Sequence, residues 1–184
     1  MFRMSEKPLV SADQIRQRMA TLAGEIAAHY DYDILLSALT GAYMFTADLS
    51  RELARVQGAK ACQKKISFIK ASSYGNSTES SGKLQVRGLE RIDIKGKKVL
   101  LVDDIADTGI TLLGLKNLLQ DAGAKEVRSC VLLNKQERRE VDVKADFVGF
   151  EIANEFVVGY GLDYAEDYRT LPEIWTLHET ETHG

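Results

Sequence analysis

Cysteine is nearly absent from this chain: only Cys62 and Cys130 occur in 184 residues. They form no metal-ligand spacing and lie inside apolar or helical patterns, so reduced thiols are expected and a disulfide framework is not. No apolar run approaches the roughly 20 residues that a membrane-spanning helix needs. The segment Met1 to Ser11 contains no signal-peptide core. An excess of either charge is also missing. The net charge of −3 gives no general pull on nucleic acid or on acidic membrane surfaces. Repeats and an interdomain linker are absent too. What remains is 45% hydrophobic and 28% charged, and long enough for one compact domain with a sizeable core. A soluble, cytoplasmic protein is expected, with neither a nucleic-acid nor a membrane partner.

One stretch organises the rest: Val99-Leu100-Leu101-Val102-Asp103-Asp104-Ile105-Ala106-Asp107-Thr108-Gly109-Ile110-Thr111. Its four leading apolar residues read as a buried strand, preceded by Gly96 and two lysines. Asp103 and Asp104 fall where that strand is expected to stop. An Asp-Thr-Gly-Ile-Thr turn then opens a helix with an apolar stripe of Leu112, Leu115, Leu118 and Leu119, and Gly123 follows its end. Amides at a helix start lack intrahelical partners and carry the positive end of the macrodipole. Gly109 permits close approach, and the Thr108 and Thr111 hydroxyls add hydrogen bonds, so a phosphate monoester fits the turn. The acids before it would repel that phosphate unless they face sugar hydroxyls or a metal. A phosphosugar meets both demands. The plainer alternative is solvated loop acids capping a helix, which is harder to square with three carboxylates in five positions at a strand mouth. The Gly-Lys-Ser/Thr ending of a Walker A loop is missing.

The surrounding pattern alternates strand and helix. Ser11 with Gln14 reads as a capping box before a helix bearing Ile15, Met19, Leu22 and Ile26. A strand at Ile34 to Leu39, a turn at Thr40-Gly41-Ala42 and a helix with Phe45, Leu49, Leu53 and Val56 inward follow, and a strand at Ile66 to Ile69 completes a βαβ unit. The segment 71–83, rich in Ser, Gly and Thr with Tyr74 its one aromatic, reads either as a disordered hairpin tip or as a lid that closes over substrate. A strand from Val127 to Leu133 precedes Asn134, Lys135 and a charged stretch from Gln136 to Lys144. Ala145 to Leu162 reads as a small irregular unit over the carboxyl edge of the sheet, and Ile174 to Leu177 as a closing strand.

The central stretch resembles the binding motif for 5-phosphoribosyl-1-pyrophosphate (PRPP) of the type I phosphoribosyltransferases. Asp146 to Ile152 and Phe156 to Tyr164, with Leu132 to Lys135, Ser72-Ser73-Tyr74 and Tyr168-Arg169, are similar in order and spacing to the hypoxanthine-guanine phosphoribosyltransferases. That resemblance implies an α/β protein of the type I phosphoribosyltransferase fold: a central parallel sheet flanked by helices, with a small hood. It implies one domain over residues 1–184, with a lid at about 71–83 and a hood from about 145–184 that includes the N-terminal segment. The implied reaction transfers the 5-phosphoribosyl group of PRPP to N9 of hypoxanthine or guanine, with Mg²⁺ as cofactor, releasing pyrophosphate. The partners implied are PRPP, a 6-oxopurine base and further copies of the chain in a homodimer or homotetramer.

The same resemblance assigns roles. Asp107 matches the general base at purine N7, Lys135 the donor to O6, and Arg169 the contact to pyrophosphate, while Tyr74 would seal the site. Asp103 and Asp104 match the acids at the ribose hydroxyls, the first commonly Glu in the family. Asp107, Thr108, Gly109, Ile110 and Thr111 form the phosphate turn, and Leu39, Thr40, Gly41, Ser73 and Tyr74 complete the PRPP set. Ile105, Lys135, Phe156, Val157 and Asp163 match the purine site, and Asp163 with Asp103 and Asp104 would hold the metal. One departure is plain: Leu39-Thr40-Gly41 stands where the family commonly reads Leu-Lys-Gly with a cis peptide. Two alternatives remain, a xanthine-preferring enzyme and a non-catalytic nucleotide- and RNA-binding regulator of the same fold.

Overall fold

The Ser11 side chain accepts from the Gln14 amide, and Gln14 returns a bond to the Ser11 amide, so the first helix begins where the capping box places it. The computed structural model describes residues 2–73 and 84–179. In chain order they form β1 (Phe2–Met4), α1 (Ala12–His29), β2 (Ile34–Leu39), α2 (Tyr43–Gln57), β3 (Lys65–Ser73), β4 (Leu84–Arg87), β5 (Lys98–Ala106), α3 (Ile110–Asp121), β6 (Glu126–Asn134), β7 (Phe147–Glu151), β8 (Val157–Val158) and β9 (Trp175–Glu179).

The main sheet has the order β4-β3-β2-β5-β6-β7. Five strands run parallel and β4 pairs antiparallel with β3, which makes the sheet mixed at that edge. Alternate residues of β5 face opposite ways: Leu100 and Val102 join the core under α1 and α2, while Val99 and Leu101 join the core under α3. Both faces are covered, which is why the strand reads as an unbroken apolar run. A second, three-stranded sheet, β1-β9-β8, joins the N-terminal strand to the C-terminal part of the chain.

Three expectations are corrected here. Val56 points outward and is 51% exposed, because the inward face of α2 is completed by Phe45, Thr46, Leu49 and Leu53. Phe147–Glu151 is not part of the small irregular unit. It runs parallel to β6 and forms the sixth strand of the main sheet, with Phe147 opposite Cys130. β5 runs on past Asp103 and Asp104 to Ala106, so both acids belong to the strand's last turns rather than to the loop. Tyr74 and the rest of the expected lid through Lys83 lie outside the described residues.

β2 hands the chain to β3 on one side, and β5 hands it to β6 on the other. The two central strands therefore diverge at their carboxyl ends, the place where open α/β sheets leave a crevice.

Candidate active site

Two loops meet in that crevice: Leu39-Thr40-Gly41 after β2, and Asp107-Thr108-Gly109 after β5. With Lys70, Ala71, Asp103, Asp104, Ile105, Thr111, Asp163 and Arg169 they line a cavity of about 370 Å³. The Leu39–Thr40 peptide is cis. Gly41 has no room for a side chain, because a Cβ there would overlap the Asp104 carboxylate. The acid pair and the β2 loop are thus packed directly on one another.

The three helix starts differ in their caps, and α2, preceded by Ala42, has no side-chain cap. The amides of α1 are served by Ser11, whereas α3 begins at Gly109, in the left-handed conformation at φ 86°, and no side chain caps it. The Ile110 amide reaches Thr108 Oγ1 only at 3.4 Å. The start of α3 is therefore an open set of donors facing the cavity, with the macrodipole behind it. It can bind a phosphate.

Beside this electropositive turn sits a pair of acids out of bulk water. Asp103 is buried, and its Oδ1 accepts from the Asp104 amide at 2.9 Å. Burial, reinforced by the neighbouring Asp104 charge and hydrogen bond, pushes the Asp103 carboxyl well above the usual carboxylate range. Burial raises Asp104 as well, against the Asp103 hydrogen bond and the Arg169 charge. Such carboxyls are suited to hydroxyl donors or to a hard cation. Among the described residues no group of three or more His, Cys, Asp or Glu side chains could hold a metal by itself. Asp103, Asp104 and Asp163 therefore fit a cation only as partial ligands, with substrate oxygens and water completing the shell, the mode that Mg²⁺ favours. Arg169 is fixed opposite them, with Nη2 at 2.9 Å from Asp163 Oδ1 and Nη1 donating to Gly161 O at 2.8 Å.

A second cavity, about 560 Å³, adjoins the first and shares Asp104, Ile105, Asp107 and Asp163 with it. Its other walls are Lys135, Arg138, Asn154, Glu155, Phe156, Val157 and Leu162. Phe156 is 48% exposed there, its ring set edge-on to Tyr164 at 5.8 Å between centroids. A half-open aromatic face in a recess with both apolar and charged walls can stack on a planar ligand. Asp107 stands between two cations, with Arg138 Nε 3.2 Å from Oδ1 and Lys135 Nζ 3.8 Å from Oδ2. Asp107 Oδ1 is buried and receives no aligned hydrogen bond. Lys135 is itself 5% exposed, and burial lowers its ammonium from the usual lysine range against the pull of Asp107. This recess offers a fixed donor, a carboxylate and a stacking face.

The residues expected at the site gather around these two cavities, apart from Tyr74, which is outside the described residues, and Ser73, which ends β3 opposite Leu84. Ile110 lies at the α3 start, 46% exposed. Two charged neighbours went unread. Arg138 sits one turn beyond Lys135 in a stretch legible only as charged. Lys70 reaches the first cavity because β3 pairs it with Leu39, a register no local pattern announces.

Comparison with known proteins agrees with this geometry. The phosphoribosyl transferase domain family matches residues 9–165. The chain is similar to the hypoxanthine-guanine phosphoribosyltransferase of Aquifex aeolicus, 40% identical over 176 residues, covering 94% of this chain and 95% of that relative. It is similar to the protein of the same name from Bacillus subtilis, 39% identical, covering 94% and 93%. Among solved structures, the hypoxanthine phosphoribosyltransferase of Trypanosoma cruzi in complex with the product IMP superposes with a TM-score of 0.84 at 37% identity, over 95% of each chain.

Proposed function

The chain belongs to the phosphoribosyltransferase family, among its hypoxanthine-guanine members, and from that premise we propose how its own residues carry out the transfer. It is a purine salvage enzyme that moves the 5-phosphoribosyl group of PRPP to N9 of hypoxanthine or guanine, giving IMP or GMP and pyrophosphate. The observation that carries the assignment of roles is the shared wall. Asp104, Ile105, Asp107 and Asp163 line both the phosphate cavity and the stacking recess, so the sugar and the base meet at the β5 strand end.

The 5-phosphate sits on the open α3 start, held by the amides and hydroxyls of Thr108 to Thr111. Asp103 and Asp104 take the ribose hydroxyls. Leu39, Thr40, Gly41 and Arg169 receive the pyrophosphate. The base stacks on Phe156 with Ile105 on its other face, and the Val157 backbone reads its edge. Lys135 donates to O6, so a 6-amino base would set a donor against a donor and leave the lysine unpaired. As N9 attacks C1 of the ribose and the bond to pyrophosphate breaks, positive charge develops on the sugar and the purine must lose a proton. Asp107, which lines both cavities, accepts it from N7. Asp163, Asp103 and Asp104 would serve Mg²⁺ as partial ligands, and the ion would neutralise charge on the leaving pyrophosphate.

The same reading takes the chain as one domain whose hood follows β7 and includes the N-terminal strand β1. It makes the protein a cytoplasmic homodimer or homotetramer, for which Ile66 and Phe68, each 49% exposed on one face of β3, supply an apolar surface. Among the described residues no helix is long and apolar enough to cross a membrane. Light scattering tests the assembly. A spectrophotometric assay with PRPP and Mg²⁺ against hypoxanthine, guanine, xanthine and adenine tests the reaction. Turnover of the first two and rejection of adenine are expected. Xanthine as the preferred base would overturn the stated specificity, and no turnover with any base would overturn the reaction.

A further inference from the structure

The turn at the start of α3 is backed by a charged side chain that is not among the walls of either cavity. Arg139 follows the short 3-10 helix Gln136–Arg138 and lies across Gly109. A Cβ built on Gly109 would stand 2.7 Å from Arg139 Cδ and 2.8 Å from Arg139 Nη1. The absence of a side chain at 109 therefore serves two ends, the left-handed turn and the seat of this guanidinium. Arg139 Nη2 donates to Asn134 Oδ1. Asn134 is buried at the last position of β6, and its amide donates to both carboxylate oxygens of Glu151 at 3.0 and 2.9 Å. The chain next to Arg139 is tied to the same turn: the Glu140 amide donates to Thr108 O at 2.9 Å, and Val143 packs on Gly109.

Arg139 Nη1, by contrast, is buried with no hydrogen-bond partner. A buried guanidinium N–H without an acceptor is costly. Here it lies against the start of α3, where the Ile110 amide finds only Thr108 Oγ1 at 3.4 Å, so a guanidinium and the positive end of the helix are stacked on one turn. An anion bound at that turn is drawn by both charges.

We propose that Arg139 is a positioning residue for the phosphate turn. Anchored through Asn134 and Glu151 to the ends of β6 and β7, it pins Gly109 from behind and adds its charge to the α3 start. The phosphoester of the phosphosugar then meets amides that are already aligned. This inference rests on reading Thr108 to Thr111 as the phosphate site, and its test separates the two.

Calorimetric titration of the whole protein with inosine 5'-monophosphate and with inosine isolates the phosphate contribution. The parent protein should bind the monophosphate about 100-fold more tightly than the nucleoside. Equal affinities would overturn the phosphate-site reading and the inference with it. Given that preference, Arg139→Met should weaken the monophosphate about tenfold and leave inosine and pyrophosphate within about twofold of the parent. Arg139→Lys keeps the charge without the planar fork and should lose only about threefold. Unchanged monophosphate binding by Arg139→Met overturns the inference alone. So does an equal loss for all three ligands, the mark of a merely structural role. Should Arg139→Met not fold, Arg139→Lys decides: a loss confined to the monophosphate supports the proposal, and no loss or an equal loss for all ligands overturns it.

Discussion

The two halves of the site are built differently. The phosphate half is made of backbone and short polar side chains at the ends of β2 and β5, strands whose own residues are almost all fully buried. The base half is assembled from side chains of separate segments: Lys135 after β6, Phe156 and Val157 around the two-residue β8, and Asp163 in a loop where Tyr160, Ala165, Glu166 and Tyr168 all adopt positive φ. A phosphate offers the same oxygens in every direction, so fixed amides at a helix start suffice to hold it. A purine edge has to be read atom by atom, which calls for particular side chains placed by distant parts of the chain. Asp107 belongs to both halves, and its substitution should separate them most sharply.

Asp107→Asn is isosteric and removes the proton acceptor together with the charge that faces Arg138 and Lys135. Turnover should fall about 100- to 1,000-fold, the usual range for a positioned general base. Binding of IMP should stay within about threefold, because the α3 amides are untouched. Stopped-flow or steady-state rates alongside nucleotide titration check both arms, and near-parental turnover would sink the assignment. On the base side alone, Lys135→Gln should raise the KM for hypoxanthine about 10- to 100-fold, since one charged donor to O6 is lost. It should leave the KM for PRPP nearly unchanged and narrow the gap between hypoxanthine and adenine. Equal losses for both substrates would mean that Lys135 supports the site rather than reading the base.

The same contrast explains what could be read without coordinates. Asp103 to Thr111 is contiguous, and each of its features is local: an apolar run, an acid pair, a glycine and a helix stripe. The Ser11 box is local as well, and its bonds form as written. Local signals fail where a residue's environment is set by pairing. Phe147–Glu151 has the short apolar runs and the glycine of an irregular unit, and only its ladder with β6 makes it a sheet strand. Val56 continues the helical stripe by spacing, but α2 ends one residue later, beyond the layer that covers it. Arg138 and Arg139 sit in one charged stretch, and nothing in their spacing tells that one faces Asp107 and the other Gly109.

A control for both halves lies in the scaffold. Asp146 accepts from the Ser129 amide at 2.8 Å, from Ser129 Oγ at 2.9 Å and from Lys116 Nζ at 2.9 Å, joining α3 to the start of β7. Burial opposes its ionisation, but the Ser129 and Lys116 bonds outweigh burial and hold the carboxyl below its ordinary value of 3.8. A carboxyl lowered by folding stabilises the protein above its unfolded value, and that contribution disappears as pH falls through the folded one. Asp146→Asn should therefore cost about 1–2 kcal/mol at neutral pH. The difference from the parent should shrink below about pH 4, with kcat and KM unchanged. Denaturant melts at several pH values check this, and a pH-independent difference would assign the loss to packing instead of charge.

The smallest effect is expected in the loop after β2. Thr40 is exposed at the mouth of the phosphate cavity, whose walls carry Asp103, Asp104, Asp107 and Asp163 against only Arg169 and Lys70. Arg169 is already committed to Asp163 and Gly161 O, so a tetra-anionic substrate enters a cavity poor in free positive charge. Thr40→Lys adds a cation on a flexible stem without altering the backbone that meets pyrophosphate. Because the position is solvated, the gain is that of an exposed pair, and the KM for PRPP should fall about two- to fivefold. The gain should fade between about 0.05 and 0.5 M salt, while the KM for hypoxanthine stays put. A KM for PRPP that is unchanged or higher at low salt would show that this half of the site is limited by backbone geometry and not by charge.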